Sequence, residues 1–335
     1  MTDYPKDVDR LIHEALTELG WNADASAVAD RVRRLEIGIP REDEFSVVCS
    51  WLGKCDLIHK LDQLQVPLAS REEYQVPDLL AVFRIDEKSL PVLIEVKSSK
   101  TNTLSLKPGY LNKLNNYSSL LNLPILLAWK FHGIWMLFET KHLKKAKTNF
   151  NISFGDALKE NLLGVLAGDF SYSLGKGAGL HFRFRKDKLV KEEDKDDEIT
   201  QEWLTVIDEV TFTDYEGRIR NDLEPQVQSL FTAWDLEEEQ EHSATHIKMS
   251  FVAQGENALF AHMALVRLLD WELKDEDKIK WRNLLMKENV VKNIGNFSSA
   301  VNKALEQGIV HHILHQQPQT IPEFIQNSYP AGRVT

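Results

Sequence analysis

The sequence predicts an α/β fold in which a mixed central sheet is flanked by helices and is followed by a second, α+β domain. Two apolar runs, residues 76–84 and 90–96, are separated by a short polar turn and indicate a pair of buried strands. A helical pattern over residues 110–124 precedes two more apolar runs, 125–131 and 134–139. The composition changes near residue 200, where we expect the second domain to begin.

The residues before the first strand predict helices. Apolar residues recur at helical spacing over residues 5–20 and again after Ser26, a candidate N-cap, so residues 1–36 are predicted to be an N-terminal helical segment. A further helix is predicted over REDEFSVVCSWLG, residues 41–53, with Gly53 as its end. Glu44 lies beside the apolar stripe of this helix.

The predicted hairpin brings three charged residues together. A turn centred near Glu87 sets Asp78 opposite Glu95 and Lys97, and strand alternation puts these last two on one side. Pro77 has no N–H to donate and fits the first residue of a strand. Two neighbouring carboxylates repel each other unless a cation or a shared proton intervenes, and such oxygen ligands suit Mg²⁺. Taken singly, Asp78 can also cap a turn, and Glu-x-Lys can be a solvated pair on a sheet edge.

Pro77-Asp78 followed by Glu95-Val96-Lys97 resembles the signature of the PD-(D/E)xK nucleases, and the run VLIEVKSSK is similar to archaeal Holliday-junction resolvases. The resemblance covers roughly residues 40–140 and implies a restriction-endonuclease-like fold that cuts DNA. It also implies a Mg²⁺ ion, replaceable by Mn²⁺, that is bound by Asp78, Glu95 and the Val96 carbonyl. Lys97 is then the catalytic residue that orients water or stabilises developing charge.

Two further expectations follow from this resemblance. Such folds begin with a helix that brings another acidic residue to the site, and Glu44 is the candidate for that catalytic position, with Glu42 as second choice. The helix dipole alone also favours acidic residues in a first turn. Several members of the superfamily carry Gln-x-x-x-Tyr on the helix after the lysine strand. This chain has Lys113 and Tyr117 there, which makes both candidate DNA-binding residues.

The charge distribution favours DNA binding by the same region, although the whole chain carries a net charge of −11. From Lys97 to Lys147 there are nine lysines and one acidic residue, Glu139. Such a stripe beside a metal site suits a phosphate backbone. Lys100, Lys144 and Lys145 are the candidate contacts, and KHLKKAK is alternatively a solvated face.

We divide the rest of the chain by composition into a nuclease domain with a basic extension (37–185), a charged linker (186–200) and an accessory α+β domain (201–335). Residues 170–186 predict a hairpin with a glycine-rich tip. The order of elements after residue 281 resembles a winged helix, with a final β-hairpin over 309–325. The histidines at 311, 312 and 315, and those at 242 and 246, are interpreted as ordinary rather than metal-binding residues.

These observations predict a cytoplasmic, metal-dependent deoxyribonuclease with no membrane segment, an endonuclease in phage defence or a mobile element. The most apolar stretch is too short to span a bilayer, and no signal peptide is evident. Two alternatives stay open. One is a catalytically inactive nuclease fold that binds DNA or acts as a scaffold. The other is a subunit that cuts only with an ATPase or a targeting partner bound to its C-terminal domain. Cutting both strands would further require a homodimer.

Overall fold

The computed structural model describes residues 12, 15, 16, 19, 20, 22, 24–63, 65–195, 198–255, 257–275, 278, 279, 281–285 and 290–327. The chain divides into two compact units. The first contains residues 1–169, 273–294 and 316–335, and the second contains 170–272 and 295–315. The division therefore falls at residue 170 rather than at the predicted 186–200, and the chain returns to the first unit twice.

The first unit contains six α-helices and ten strands among the described residues. The helices are α1 (Ala25–Leu52), α2 (Pro108–Leu121), α3 (Phe154–Lys159), α4 (Leu163–Ala167) and α7 (Trp281–Leu285). The strands are β1 (Cys55–Lys60), β2 (Leu79–Ile85), β3 (Lys88–Ser98), β4 (Thr103–Leu106), β5 (Ile125–Phe131), β6 (Ile134–Glu139), β7 (Lys144–Lys145), β8 (Phe150–Ser153), β15 (Lys274–Asp275) and β16 (Lys278–Ile279). A short helix, α9 (Glu323–Gln326), follows near the end of the chain.

A five-stranded sheet in the order β1-β2-β3-β5-β6 forms the centre of this unit. Strands β3 and β5 are parallel, and the other neighbours are antiparallel. Because a parallel pair needs a crossover, β4 and α2 lie between these two strands in the sequence. This is the mixed central sheet that the sequence predicts.

The core of the first unit is built from the apolar runs of the central strands. Phe83, Ile94, Trp129 and Phe138 are fully or almost fully buried, and α2 adds Leu114. Strands buried on both faces read as continuous apolar runs, which is why these segments were recognisable in the sequence. The charged residues of β3 therefore stand out against an apolar surrounding.

The helix before the sheet is longer than predicted. Helix α1 runs without interruption over 28 residues and contains Pro40, so the second predicted N-terminal helix and the predicted helix over 41–53 are one element. Its N-cap is Asp24 rather than Ser26, since the Asp24 carboxylate accepts bonds from the amides of Ser26 and Ala27. The first predicted helix, over residues 5–20, lies largely outside the described residues. A boundary at residue 36 is therefore wrong.

The second unit is built on antiparallel sheets. Its strands are β9 (Ser171–Leu174), β10 (Gly179–Lys195), β11 (Glu198–Thr213), β12 (Glu237–His242), β13 (His246–Val252), β14 (Leu259–Phe260) and β17 (Val310–Leu314). Its helices are α5 (Pro225–Thr232) and α6 (Ala261–Leu273), and α8 (Val290–Glu306) contributes most of its length. The sheets have the orders β11-β10-β13-β12 and β14-β9-β17.

Residues 186–195 and 198–200 are not a linker, because they belong to the outer half of a long hairpin. Strands β10 and β11 pair along their whole length, whereas β13 covers only Gly179–Arg185. Gln201 donates a 2.6 Å bond across the hairpin to Glu192, and Lys191 pairs with Glu193 at 2.5 Å. A composition with few apolar residues disfavours burial but leaves backbone pairing possible.

Two further predictions for the second half are wrong. Strands β9 and β10 belong to different sheets, so residues 170–186 are not a hairpin, and a Cβ at Gly175 would lie 2.5 Å from Cβ of Tyr215. Close packing against Tyr215 therefore explains why a residue without a side chain stands at position 175. The C-terminal strand β17 pairs with β9 rather than with a following strand, which rules out the winged-helix arrangement. None of the helices in the described part of the chain has the length and hydropathy needed to cross a lipid bilayer.

Candidate active site

The hairpin of β2 and β3 brings Asp78 beside Glu95. Leu79 pairs with Ile94 in the antiparallel ladder, so Asp78, which directly precedes β2, faces Glu95 of β3. Oδ2 of Asp78 accepts a 2.7 Å hydrogen bond from the backbone amide of Val96. The two strands are therefore tied together at the point where their carboxylates meet, as the sequence predicts.

Glu95 is the most enclosed member of the site, with 1% of the residue exposed. Its Oε1 is contacted by the ammonium of Lys97 and by the hydroxyl of Tyr110 at the start of α2. The Lys97 ammonium also lies 3.2 Å from the Val96 carbonyl oxygen and 3.4 Å from the Tyr110 hydroxyl. Strand alternation puts Glu95 and Lys97 on the same side of β3, which explains this contact.

The electrostatics of the site reflect two carboxylates in a dry environment. Burial, followed by the negative charge of Glu95, raises the pKa of Asp78 to about 7. Burial alone would lower the pKa of Lys97, but the carboxylates of Glu95 and Asp78 outweigh it and raise that pKa above its ordinary value. Lys97 is therefore a permanent ammonium at neutral pH, and Asp78 is poised to lose its proton near pH 7.

The acidic residue that α1 brings to this site is Glu42, the second choice of the sequence analysis. Burial and the charge of Asp78 raise the pKa of Glu42 to about 7, while the ammonium of Lys60 opposes this effect. Lys60 Nζ lies 2.9 Å from Oε2 of Glu42, and its charge also acts on Asp78. Helix α1 therefore adds the carboxylate of Glu42, and strand β1 the ammonium of Lys60, to the pair on the hairpin.

Glu44 has a different set of partners from Glu42, and its predicted catalytic role stays a prediction. Its carboxylate is buried, and it bonds Arg41 at 2.8 Å, the Trp135 indole at 3.1 Å, and the ammonium of Lys130. Residues two apart on a helix point in different directions, so Glu42 and Glu44 cannot both face Asp78. Glu44 instead joins α1 to the strands β5 and β6.

The donor set of the site fits a hard divalent cation. Oε2 of Glu95 is buried and has no hydrogen-bond partner, although the same carboxylate is held through Oε1. A buried carboxylate oxygen without a donor is costly unless a cation completes it. Within the described ranges, no three His, Cys, Asp or Glu side chains converge as a metal-binding group. Asp78 and Glu95 are the two carboxylates that the hairpin offers to a cation.

Comparison with protein families decides what this domain is. Residues 67–166 match the family described as archaeal Holliday junction resolvase (Hjc). These residues form an Hjc-family domain of the PD-(D/E)xK nuclease superfamily. Among solved structures, Hjc from Archaeoglobus fulgidus, a Holliday junction resolvase, matches with 20% identity and a TM-score of 0.30, covering 36% of this chain and 91% of that one. No curated protein matches the chain.

The candidate DNA-binding lysines of the Hjc domain differ in their surroundings. Lys100 and Lys145 are exposed. Lys144 is also exposed but lies 3.2 Å from the carboxylate of Asp156. The remaining lysines of the stripe are not all available to a ligand, because Lys97 and Lys130 are bonded to buried carboxylates.

Lys113 holds the loop that leads to Asp78. Its ammonium donates a 2.6 Å bond to the Arg71 carbonyl, and its own carbonyl accepts a bond from the Gln75 amide at 3.2 Å. Asn116, one turn later on α2, binds the Glu73 carbonyl at 3.0 Å. Tyr117 is half-buried on the same helix. Lys113 therefore has a structural contact, and its predicted contact with DNA stays a prediction.

Sequence reasoning missed two residues of the candidate site, Tyr110 in the Hjc domain and Lys60 before it. Tyr110 stands 13 residues beyond Lys97 at the start of α2, and attention to the Gln-x-x-x-Tyr pattern led instead to Tyr117. Lys60 ends β1, opposite Leu79 in the ladder, and the 3.0 Å bond from the Leu61 amide to the Asp78 carbonyl extends that pairing. The separation of Lys60 from Asp78 in the sequence concealed this neighbourhood.

Proposed function

We propose that the chain is a metal-dependent nuclease that hydrolyses phosphodiester bonds in DNA. The observation that carries this proposal is the unpartnered Oε2 of Glu95, buried beside Asp78 in a domain of the Hjc family. Buried polar atoms in proteins are usually completed by a hydrogen-bond donor, a water or an ion. A bound divalent cation is the simplest partner for Oε2 of Glu95.

Asp78, Glu95 and the Val96 carbonyl are the residues that would hold Mg²⁺, and Mn²⁺ suits the same oxygen ligands. When bound, such an ion lowers the pKa of a coordinated water and polarises a phosphoryl oxygen. The chain supplies the rest. The backbone bond from Val96 fixes the orientation of Asp78, and the contacts to Oε1 fix that of Glu95.

Lys97 acts as a cation in this proposal and not as a base. Its pKa is raised by Glu95 and Asp78 against the effect of burial, so it keeps its proton at neutral pH. A fixed ammonium beside the scissile phosphate stabilises negative charge on a phosphoryl oxygen and orients the attacking water by donating a hydrogen bond. Tyr110 holds the ammonium at 3.4 Å from its hydroxyl.

DNA is the substrate that the surrounding surface supports. Lys100 and Lys145 are exposed in the Hjc domain, and Lys144 is also accessible, at 77% side-chain exposure. Contacts of lysines with the phosphate backbone carry no sequence information, so they would position the duplex and leave selection to DNA shape. A role in phage defence or a mobile element rests on the family resemblance alone and stays a prediction.

A protein partner for the second unit is the alternative that one observation favours. The β10–β11 hairpin exposes apolar side chains, with Leu204 at 55% and Ile207 at 56% exposure. Apolar side chains of this kind on a projecting hairpin are typical of a contact surface. An ATPase, a targeting protein or a second copy of the chain would fit there, and a second copy would supply the second site needed for double-strand cutting.

The proposal is tested with wild type and Lys97→Ala on supercoiled, linear, single-stranded and branched DNA and on RNA. We expect cleavage of DNA by the wild type in Mg²⁺ or Mn²⁺, none in EDTA, and none by the variant. Cleavage in EDTA, or equal cleavage by Lys97→Ala, would remove the mechanism. DNA binding by both proteins without any cleavage would favour the inactive, DNA-binding alternative. Activity that appears only when a partner is added would favour the subunit alternative.

A further inference from the structure

Tyr110 is the residue that joins the two side chains on which the proposed chemistry depends. It lies in the first turn of α2, after Pro108 at the helix start. Its hydroxyl bonds Oε1 of Glu95 and lies 3.4 Å from Nζ of Lys97. The same ammonium lies over the Tyr110 ring, 5.3 Å from the ring centroid. One side chain thus makes a hydrogen bond to the carboxylate and a cation–π contact to the ammonium.

The distribution of donors over the two oxygens of Glu95 is uneven. Lys97 and Tyr110 both contact Oε1, and Oε2 has no hydrogen-bond partner. Because a carboxylate rotates about its terminal bond unless its oxygens are held, two donors on Oε1 fix the direction in which Oε2 points. A ligand oxygen held in one direction loses less freedom when it binds a cation.

We propose that Tyr110 is a positioning residue that presents Oε2 of Glu95 to the metal and holds Lys97 in place. This inference rests on the proposed function and assigns the site a residue beyond Asp78, Glu95 and Lys97. Tyr110 itself does not contact the metal in this arrangement. Hydrogen-bond partners of metal ligands typically contribute about 10- to 100-fold to metal affinity.

A packing role is the competing explanation, because Tyr110 also packs against the core beside α2. The apolar cluster there includes Leu104, Leu111 and Ile152. Tyr110→Phe separates the two roles, since it keeps the ring in the core and over the ammonium and removes only the hydroxyl. A packing role predicts no change in metal affinity for this variant, whereas a positioning role predicts a loss.

The experiment measures metal binding and activity on the full chain. Mg²⁺ and Ca²⁺ are titrated into wild type, Tyr110→Phe and the control Tyr74→Phe by calorimetry, and thermal unfolding in EDTA checks that each variant is folded. Tyr74 is a half-buried tyrosine of the same domain that lies in the loop before Asp78. We expect Tyr110→Phe to weaken metal binding about 10-fold or more and to raise the Mg²⁺ concentration for half-maximal cleavage equally. Tyr74→Phe should match the wild type.

A Tyr110→Phe protein that binds Mg²⁺ and Ca²⁺ with wild-type affinity would overturn the inference, even if its melting temperature fell. The calorimetric result for Tyr110→Phe can be distinguished from a failure of the proposed nuclease function. Failure of the wild type to cleave any nucleic acid would count against nuclease activity, while the calorimetric comparison would still decide the role of Tyr110. Cleavage by the wild type that depends on Lys97 but not on Tyr110 would remove only this inference.

Discussion

The amide of Val96 donates a 2.7 Å hydrogen bond to Oδ2 of Asp78, and this bond joins the two strands of the candidate site. It engages one of the two carboxylate oxygens of Asp78. The bond also explains why the two halves of the signature lie on adjacent strands, because the backbone of Val96 on β3 orients Asp78, which directly precedes β2. Substitutions that preserve this bond therefore test chemistry without disturbing the hairpin.

Asp78→Asn should abolish metal-dependent cleavage while leaving the fold intact. The amide oxygen of asparagine still accepts the bond from the Val96 amide, but the charge that attracts the cation is lost. We expect activity to fall at least ~100-fold. Asp56→Asn is the matched control, because Asp56 lies on β1 and pairs with Arg84 at the surface. Activity of Asp78→Asn within a few-fold of the wild type would contradict the role of this carboxylate.

The stability of the metal-free protein should fall as the pH rises through 7. Burial raises the pKa values of Asp78 and Glu42 to about 7, above those of the unfolded chain. A raised carboxyl pKa contributes stability at low pH that is lost as the pH passes the folded-state value. Thermal unfolding in EDTA from pH 5 to 8 measures this, and an Asp78→Asn, Glu42→Gln double variant should flatten the curve. A wild-type stability that rises between pH 5 and pH 8 would contradict the raised pKa values of Asp78 and Glu42.

Excess Mg²⁺ should oppose that loss, because the cation binds the deprotonated carboxylates. The melting temperature should therefore depend on Mg²⁺ much more strongly at pH 8 than at pH 5. Asp78→Asn should show little Mg²⁺ dependence at either pH. An equal Mg²⁺ effect on the variant would mean that the stabilising cation binds elsewhere.

Glu44 and Glu42 should respond differently to substitution by glutamine. Glu44→Gln leaves the partly buried Lys130 ammonium without its counter-charge, so we expect a loss of about 3 kcal/mol in the free energy of unfolding. Glu42→Gln should lower cleavage while costing little stability at pH 8, because it removes one of two repelling carboxylates. Urea unfolding and cleavage assays on both variants provide the comparison. Loss of cleavage in Glu44→Gln together with loss of stability in Glu42→Gln would indicate that Glu44, rather than Glu42, belongs to the site.

Exposed lysines should contribute to DNA affinity through salt-dependent phosphate contacts. Lys100→Ala and Lys145→Ala should each weaken binding on all sequences alike and lower the slope of log K against log salt by about 0.9 per lost contact. Lys188→Ala on the β10–β11 hairpin of the second unit is the control. Fluorescence anisotropy at several salt concentrations measures the slope. An unchanged slope for Lys100→Ala and Lys145→Ala would place the DNA path elsewhere.

The sequence was sufficient to predict the hairpin and the proximity of Asp78 to Glu95, because strand alternation and the position of the turn determine the register of the two strands. The sequence did not determine which side chains of a helix face the sheet, or which residues that are distant in the sequence come into contact. The pattern of α1 could not tell whether Glu42 or Glu44 faced the hairpin, because that depends on how the helix packs on the sheet. Tyr110 was overlooked because its contacts depend on where α2 begins.

The second unit was harder to predict for a different physical reason. The outer half of the β10–β11 hairpin is paired on solvated faces, so its charged composition resembled a linker. Strand β17 pairs with β9, more than 130 residues away in sequence, and no local pattern reports such pairing. The apparent winged helix reflected a correct order of helices and strand with the wrong strand partner.

The most direct test of the central claim is an anomalous diffraction map of crystals soaked in Mn²⁺. We expect one peak within about 2.3 Å of a carboxylate oxygen of both Asp78 and Glu95, with the Val96 carbonyl as a further ligand. Loss of that peak in crystals of Asp78→Asn would confirm the assignment. A peak that contacts only one of the two carboxylates, or saturating Mn²⁺ without any peak between them, would contradict it.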